Sequence, residues 1–261
     1  MKQTNGYVVG FAAAICLVCS LSLSLLSGGL KERQEQNRIL DRQKNILMAV
    51  GYQKDELGAK TATEVEKLYA DTFEEMVIDA QGEKIDVKMA QLSKAEASAD
   101  EKRPSRLPLF RQKDPGNPSA TLSYVYPVAG KGLWSTMYGY LAVKPDGNEI
   151  IGVAFYKHGE TPGLGGEIER KWFTDSFKQK TLYSGDKVEG VEVVKGKVAD
   201  NPAKAARAQY AVDGISGATL TCNGVTKMMK AVPLRYAPFF QKIRSTQSAQ
   251  WMPRSEMGGA R

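Results

Sequence analysis

Histidine is scarce in this sequence, and its scarcity excludes several kinds of site. His158 is the only histidine among the 261 residues, and no close-spaced set of carboxylates or thiolates accompanies it. No metal site is therefore predicted. A Ser-His-Asp hydrolase would have to use His158, but no Gly-x-Ser-x-Gly elbow supplies its serine. A lone histidine at the end of a strand is more typical of a hydrogen-bonded structural residue.

Cysteines are few, and the sequence has no nucleotide fingerprint and no cluster of basic residues. Cys16 and Cys19 lie within an apolar run and are interpreted as two small apolar side chains, so that Cys222 is the only cysteine elsewhere and no disulfide framework exists. The chain has neither a Walker loop nor a G-x-G-x-x-G fingerprint. Its net charge is +7, but the basic residues are scattered. They indicate a solvated surface, near anionic lipid, and not a nucleic-acid interface.

One long apolar run is present, at the N-terminus. Residues 7–26 contain no charge and no proline. Twenty residues form a helix of roughly 30 Å, enough to cross the hydrocarbon core of a bilayer. The alternative is a cleaved signal peptide, but the run is too long and no Ala-x-Ala site follows it. A retained anchor is therefore predicted.

The charges that flank the apolar run do not decide on which side of the membrane the rest of the chain lies. Only Lys2 precedes the run, whereas five basic residues follow it: Lys31, Arg33, Arg38, Arg42 and Lys44. A simple count of positive charge would place the C-terminal side in the cytoplasm.

After the anchor, the hydrophobic pattern predicts first helices and then strands. Helices are expected over residues 30–50, continuing the anchor, and over 63–80, where Thr63 and Glu66 would form a capping box. The polar, proline-containing stretch 95–117 is interpreted as an excursion on the surface. Short strands are predicted over 122–128, 139–144 and 150–156, with the turn Lys144-Pro145-Asp146-Gly147 between the last two.

The C-terminal part is predicted to contain a glycine-rich loop over residues 158–166 and further short elements. A helix is expected near 168–179, a strand over 188–198, and helices over 202–210 and 221–231. The segment from residue 245 onward is polar and predicts a disordered tail.

Three segments could carry chemistry. In the first, residues 213–221, small residues allow a close backbone approach, and Thr221 is predicted as the N-cap of the last helix. The free N–H groups of that first turn could bind an anion, although an ordinary capped turn fits the same spacing. The second is the loop 158–166, whose four glycines are typical of a loop that approaches a ligand closely. In the third, residues 130–139, Trp134, Met137 and Tyr138 could stack on a flat ring or pack in a sheet core.

Taken in order, these segments resemble one known family. The stretches GKGLWSTMYGYLAV, HGETPGLGGEI and DGISGATLT, behind one N-terminal anchor, are similar to the FMN-binding domain of the NqrC subunits of sodium-translocating NADH:quinone oxidoreductases. The corresponding subunit of the Rnf electron-transport complex is a relative. The stretch QKNIL at residues 43–47 fits as well, and the HGETPGLGGEI segment with the NILMAVG helix favours the Nqr type. The resemblance extends to about residue 244.

The resemblance implies a fold, a cofactor and a role. The fold would be α+β, with a curved antiparallel sheet, flanking helices and one N-terminal transmembrane helix. FMN would be joined by a phosphoester to Thr219, with FAD as the donor and a Mg²⁺-dependent flavin transferase as the enzyme. Further contacts to FMN are implied for three groups of residues: Ser216, Gly217, Ala218, Leu220 and Thr221; Glu160, Thr161, Leu164 and Gly165 of a loop closing over the ring; and Trp134.

The resemblance further implies an electron-relay subunit without a complete active site of its own. Its partners would be the NADH/FAD/iron–sulfur subunit, a second FMN subunit and membrane subunits of a Na⁺-translocating complex in the bacterial inner membrane, with the soluble domain in the periplasm. The expected organisation is an anchor (1–30), a helical stalk and start of the soluble domain (31–95), the FMN-binding core (96–244) and the tail (245–261). Two alternatives stay open, an Rnf-type subunit and a membrane-anchored scaffold or binding domain without flavin.

Overall fold

The N-terminal part of the chain is one continuous helix. A computed structural model describes residues 5–100 and 104–251, with the side chains of 247–251 left aside. The chain divides into two units, Met1–Gln43 and Lys44–Arg261. Helix α1, Asn5–Ala49, is long and apolar enough to cross a membrane. The prediction that the helix of residues 30–50 continues from the anchor is thus confirmed.

A six-stranded antiparallel sheet forms the second unit's framework, which confirms the predicted α+β class. The strands are β1 (Phe73–Asp79), β2 (Lys84–Ile85), β3 (Arg106–Lys113), β4 (Thr121–Lys131), β5 (Thr136–Val143) and β6 (Ile150–Lys157). Their order in the sheet is β2-β1-β3-β4-β5-β6. The strand pairing shifts in register at three places, which mark bulges or irregularities that bend a sheet. The three predicted strands are confirmed as β4, β5 and β6. The predicted turn that ends at Gly147 is also confirmed, and it connects β5 to β6.

The predicted helix over residues 63–80 is wrong in its second half. After the short helix α2 (Lys54–Ala59), helix α3 runs from Ala62 to Thr72, and the chain then enters β1. The capping box joins Thr61 to Glu64, not Thr63 to Glu66. Val77 and Ile78 are buried where β1 pairs with β3. Their β-branched side chains suit a strand, and pairing with a distant strand overrides the local helical spacing.

The predicted surface excursion over 95–117 is also wrong, because it contains β3 in the interior of the sheet. Leu107, Leu109 and Phe110 are buried there. Pro108 does not prevent the strand, since pairing with β4 begins only at Phe110 and Pro108 has a paired neighbour in β1 alone. Because β1 and β2 belong to the same sheet, the sheet begins before the expected core boundary at residue 96.

Between β6 and the last helix, the elements are shorter than predicted. The expected helix 168–179 is a 3₁₀ helix, Gly165–Glu169, followed by α5, Lys171–Asp175, and the expected strand 188–198 is reduced to two-residue pieces. Proline begins α6 (Pro202–Ala205) as expected, but this helix has only four residues, and a 3₁₀ turn, Ala208–Tyr210, follows it. The remaining bounds are α4 (Lys94–Ala97), β7 (Tyr183–Ser184), β8 (Lys187–Val188), β9 (Glu192–Val193), β10 (Ala211–Val212) and the 3₁₀ helices Met89–Gln91 and Val198–Asp200.

The last helix, α7, forms the core with the sheet. It runs from Thr219 to Trp251, so it begins two residues before the predicted helix 221–231 and ends far beyond it. Residues 245–251 of the expected disordered tail are helical, and residues 252–261 lie outside the described residues. Tyr236 stacks on Tyr126 of β4 with ring centroids 4.2 Å apart. Since the buried face of α7 is fixed against β4, its N-terminus is fixed near the end of that strand.

Candidate functional site

The start of α7 lies directly against the β4–β5 hairpin. A side chain at Gly224 would place its Cβ 2.2 Å from the carbonyl oxygen of Lys131, the last residue of β4, so only glycine permits this approach. The hairpin turn that follows Lys131 is closed by a hydrogen bond from the Gly132 N–H to the Ser135 carbonyl oxygen, 2.7 Å long. Two of the three predicted segments are therefore neighbours.

The carboxylate of Glu160 joins these two segments to the glycine-rich loop. Glu160 is only 5% exposed. Its Oε1 accepts hydrogen bonds from the N–H groups of Trp134 (2.9 Å) and Ser135 (3.3 Å), and its Oε2 accepts one from the N–H of Leu133 (3.1 Å). The resemblance implied a contact between Glu160 and FMN, which stays a prediction. In the structure, the carboxylate lies inside the protein and accepts hydrogen bonds from the turn.

Thr221 completes this set of donors. Its hydroxyl Oγ1 donates to Glu160 Oε2 at 2.5 Å, and the residue is 1% exposed. Gly165 of the glycine-rich loop packs against the same hydroxyl, because a Cβ there would lie 2.5 Å from Oγ1. The prediction of Thr221 as the helix N-cap is wrong, since α7 begins at Thr219 and the Thr221 hydroxyl binds a carboxylate 61 residues away.

The segment before α7 is held by short backbone contacts. Gly217 has a φ of +74°, a left-handed conformation that favours glycine, and its position faces the side chain of Leu164. The Ala218 N–H donates to the Ile215 carbonyl oxygen at 3.1 Å, and the Ile215 N–H donates to Cys222 Sγ at 3.4 Å. Ala218 is buried. Cys222, whose role the sequence did not reveal, is thus a buried acceptor that holds this turn.

Two hydroxyls of the segment reach the surface. Thr219, the first residue of α7, is exposed, as is Ser216, whereas Thr221 is buried. The first N–H groups of a helix have no partner within the helix, and they carry the positive end of its dipole. An anion attached to the Thr219 side chain would lie at this end.

Large apolar side chains are exposed on the hairpin turn, on the glycine-rich loop and at the start of α7. Trp134 is 69% exposed and Leu220 60% exposed, and Leu133 and Leu164 are also exposed. Trp134 is thus not a core residue, while Met137 of the same segment is fully buried and Tyr138 donates a hydrogen bond to Asp100. Leu133 was missed by sequence reasoning, although its place beside Trp134 in a tight turn could have signalled exposure.

The glycine-rich loop is held in place by its own residues. His158 Nδ1 accepts a hydrogen bond from the Glu160 N–H at 3.2 Å, which confirms its interpretation as a structural histidine. The carbonyl oxygen of exposed Thr161 accepts from the N–H groups of Leu164 and Gly166. Ser135 Oγ, also missed in the sequence, accepts from the Gly159 N–H at 2.6 Å. This hydrogen bond joins the glycine-rich loop to the β4–β5 hairpin.

Acid is expected to weaken the fold through Glu160. Burial raises the pKa of this carboxyl, but hydrogen bonds from the Thr221 hydroxyl and the N–H groups of Trp134, Leu133 and Ser135 outweigh burial and hold the pKa below its ordinary value of 4.5. Glu160 therefore stabilises the protein fully above the unfolded pKa, and this contribution is lost as the pH falls through the lower folded value.

The variant Glu160→Gln has no ionisable carboxyl group at this position. Its free energy of unfolding, measured with urea between about pH 6 and pH 3, is expected to fall less steeply with acid than that of the wild type. Equal slopes for the two proteins would contradict the geometry described for this carboxylate.

Comparison with known proteins identifies the family. A family model described as the FMN-binding domain matches residues 132–232. The C subunit of the Na(+)-translocating NADH-quinone reductase of Vibrio vulnificus is 34% identical, over 94% of this chain and 96% of that protein. The corresponding subunit of Pseudomonas aeruginosa is 35% identical, over 84% and 87%.

Two solved structures are similar as well. The crystal structure of the same subunit from Parabacteroides distasonis has a TM-score of 0.66 and 30% identity, covering 81% of this chain and 96% of that one. NqrC of Shewanella oneidensis has a TM-score of 0.64 and 26% identity, covering 82% and 99%. With this similarity along nearly its whole length, the chain belongs to the NqrC family, the C subunits of Na(+)-translocating NADH-quinone reductases.

Proposed function

We propose that this chain is an electron-relay subunit that carries FMN as a phosphoester on Thr219. The observation that carries the proposal is the contrast between two threonines. Thr219 offers an exposed hydroxyl at the first position of α7, whereas the hydroxyl of Thr221 is buried and donates to Glu160. Both lie in the region that matches the FMN-binding family model.

The surroundings of Thr219 fit a phosphate. A phosphoester there would lie at the N-terminus of a 33-residue helix, where free N–H groups and the helix dipole favour negative charge. In the attachment step, Thr219 Oγ would attack the phosphorus of the FMN half of FAD. The pyrophosphate bond breaks, AMP leaves, and the hydroxyl proton is released. The neighbours Gly217 and Ala218 are small, which leaves room for the flavin transferase.

The exposed apolar side chains fit a flat ring. Leu220 follows Thr219 in the chain and is exposed, as is Leu164, whose side chain faces Gly217. Leu133 and Trp134 are exposed on the turn that Glu160 holds. Exposed apolar side chains of this kind mark ligand-binding surfaces. Ser216, Thr161 and the Glu160–Gly165 loop would line the same place. FMN supplies the redox chemistry when bound, while the protein fixes its position and tunes its potential. An ester bond prevents dissociation, which suits repeated one-electron transfer.

The proposal also includes redox partners and a location for the chain. The electron would be received from and passed to other redox subunits of the complex, namely the NADH/FAD/iron–sulfur subunit, the second FMN subunit and the membrane subunits. Helix α1 would cross the bacterial inner membrane. We place the soluble domain in the periplasm despite the five basic residues after the anchor, because long domains are translocated largely regardless of nearby charge.

The direct test is mass spectrometry of the full chain produced with its flavin transferase. The intact mass is expected to exceed the polypeptide mass by one FMN less one water, and fragmentation is expected to locate this addition on Thr219. An unmodified chain would favour a scaffold without flavin, and an addition on Ser216 or Thr221 would contradict the assigned residue. An Rnf-type role would be indicated by Rnf subunits co-purifying with the chain.

A further inference from the structure

Glu160 differs from the other buried carboxylate in the nature of its partners. Among the described residues, Glu96 and Glu160 are the buried acidic side chains, and each is 5% exposed. Glu96 is paired with the guanidinium of Arg106, whose nitrogens lie 2.6 and 2.7 Å from its oxygens. The four groups that donate to Glu160 are three backbone N–H groups and one hydroxyl, all neutral.

These neutral donors stabilise the ionised carboxylate without cancelling its charge. An ion pair such as Glu96–Arg106 has little net charge at a distance, whereas the charge of Glu160 continues to act on its surroundings. Its donor Thr221 is two residues from Thr219, within the same helical turn. The side chains of residues two apart in a helix do not face each other, and Thr221 is buried whereas Thr219 is exposed. The charge of Glu160 would therefore act on a flavin held on Thr219 through the start of α7 and not by direct contact.

The same carboxylate sets the spacing of three chain segments. Its donors belong to the hairpin turn after β4 and to the first turn of α7, while Glu160 itself belongs to the glycine-rich loop. Both carboxylate oxygens of Glu160 accept hydrogen bonds from the hairpin turn, and Oε2 also accepts one from Thr221 of α7. Displacement of either oxygen would therefore break a hydrogen bond to another segment. The exposed side chains of Leu133 and Trp134 belong to the turn whose backbone Glu160 holds.

We infer that Glu160 is a positioning residue of the flavin site, which fixes the hairpin turn and the start of α7 around Thr219 and whose charge lowers the reduction potential of the flavin. This inference rests on the proposed function. Reduction adds negative charge to the flavin, so a nearby carboxylate disfavours it. The electron would thus leave this subunit more readily than it would in a neutral site.

The test compares two isosteric substitutions in the flavin-loaded full chain, Glu160→Gln and the control Glu96→Gln. Each substitution removes a buried carboxylate that accepts several hydrogen bonds, so each is expected to lower the unfolding temperature. Only Glu160→Gln is expected to raise the flavin midpoint potential, measured by spectroelectrochemical titration, and to alter the flavin absorption spectrum. Glu160→Asp, which keeps the charge on a shorter side chain, is expected to keep the potential nearer to the wild-type value while changing the spectrum.

The outcomes separate the inference from the proposed function. A wild type without covalent flavin would overturn both. A flavin-loaded Glu160→Gln protein whose potential and spectrum match those of Glu96→Gln would overturn the inference alone. If Glu160→Gln does not fold, Thr221→Val decides, since it keeps the charge and the three backbone bonds: a changed flavin spectrum supports the positioning role, and an unchanged one overturns it.

Discussion

Replacement of Thr219 by alanine is expected to abolish covalent flavin attachment completely. A phosphoester requires the hydroxyl oxygen, which alanine lacks. The hydroxyl of Thr221, two residues later, is buried against Glu160 and cannot substitute. The measurement is flavin fluorescence of the protein band in a denaturing gel under ultraviolet light, after expression with the flavin transferase. The band of Thr219→Ala is expected to fall to background.

Two further variants control this result. Thr219→Ser keeps a hydroxyl at the start of α7 and is expected to retain fluorescence. Thr246→Ala removes an exposed threonine near the other end of the same helix and is expected to equal the wild type. Fluorescence that survives in Thr219→Ala would refute the assignment, and Ser216, the other exposed hydroxyl of the segment, would then be the attachment point to consider.

Truncation of Phe240 to alanine is expected to cost about 3–5 kcal/mol of the free energy of unfolding. Phe240 is fully buried on α7, and its ring lies 5.7 Å from that of Tyr124 and 5.3 Å from that of Phe239. It also packs on Gly147 in the β5–β6 turn. The substitution therefore removes a large side chain where α7, β4 and a turn meet, and leaves a cavity. Urea unfolding followed by intrinsic fluorescence measures the change.

A control variant on the same helix separates packing from helix propensity. Leu234 is 56% exposed, and Leu234→Ala is expected to change the free energy of unfolding by no more than about 0.5 kcal/mol. Equal losses in the two variants would contradict the described packing of α7. Because Phe240 is 21 residues after Thr219, roughly 30 Å along the helix, folded Phe240→Ala protein is expected to retain its covalent flavin.

The parts of the fold that the sequence predicted correctly are those with strong local signals. The apolar run over residues 7–26 lies in one long helix, and the strands β4, β5 and β6 are rich in β-branched and aromatic residues with a turn sequence before the last. The interior strands β1 and β3 were misjudged. The spacing of Val65, Leu68, Phe73 and Met76 suits a helix face, and β3 lies within a stretch, 95–117, that is polar and contains several prolines. Each becomes a strand because it pairs with the other across about thirty residues.

For the site, the sequence by itself determined the ingredients: a hydroxyl-rich segment with small residues, a glycine-rich loop and a hairpin turn with an aromatic residue. The resemblance of these segments to one family selected Thr219. Only the tertiary structure decided which hydroxyl is accessible, because Glu160 is 61 residues from Thr221 in the chain and meets it only through the packing of α7 on β4. Thr221 is buried at that contact, whereas Thr219 is exposed. Local spacing does not encode such a long-range hydrogen bond.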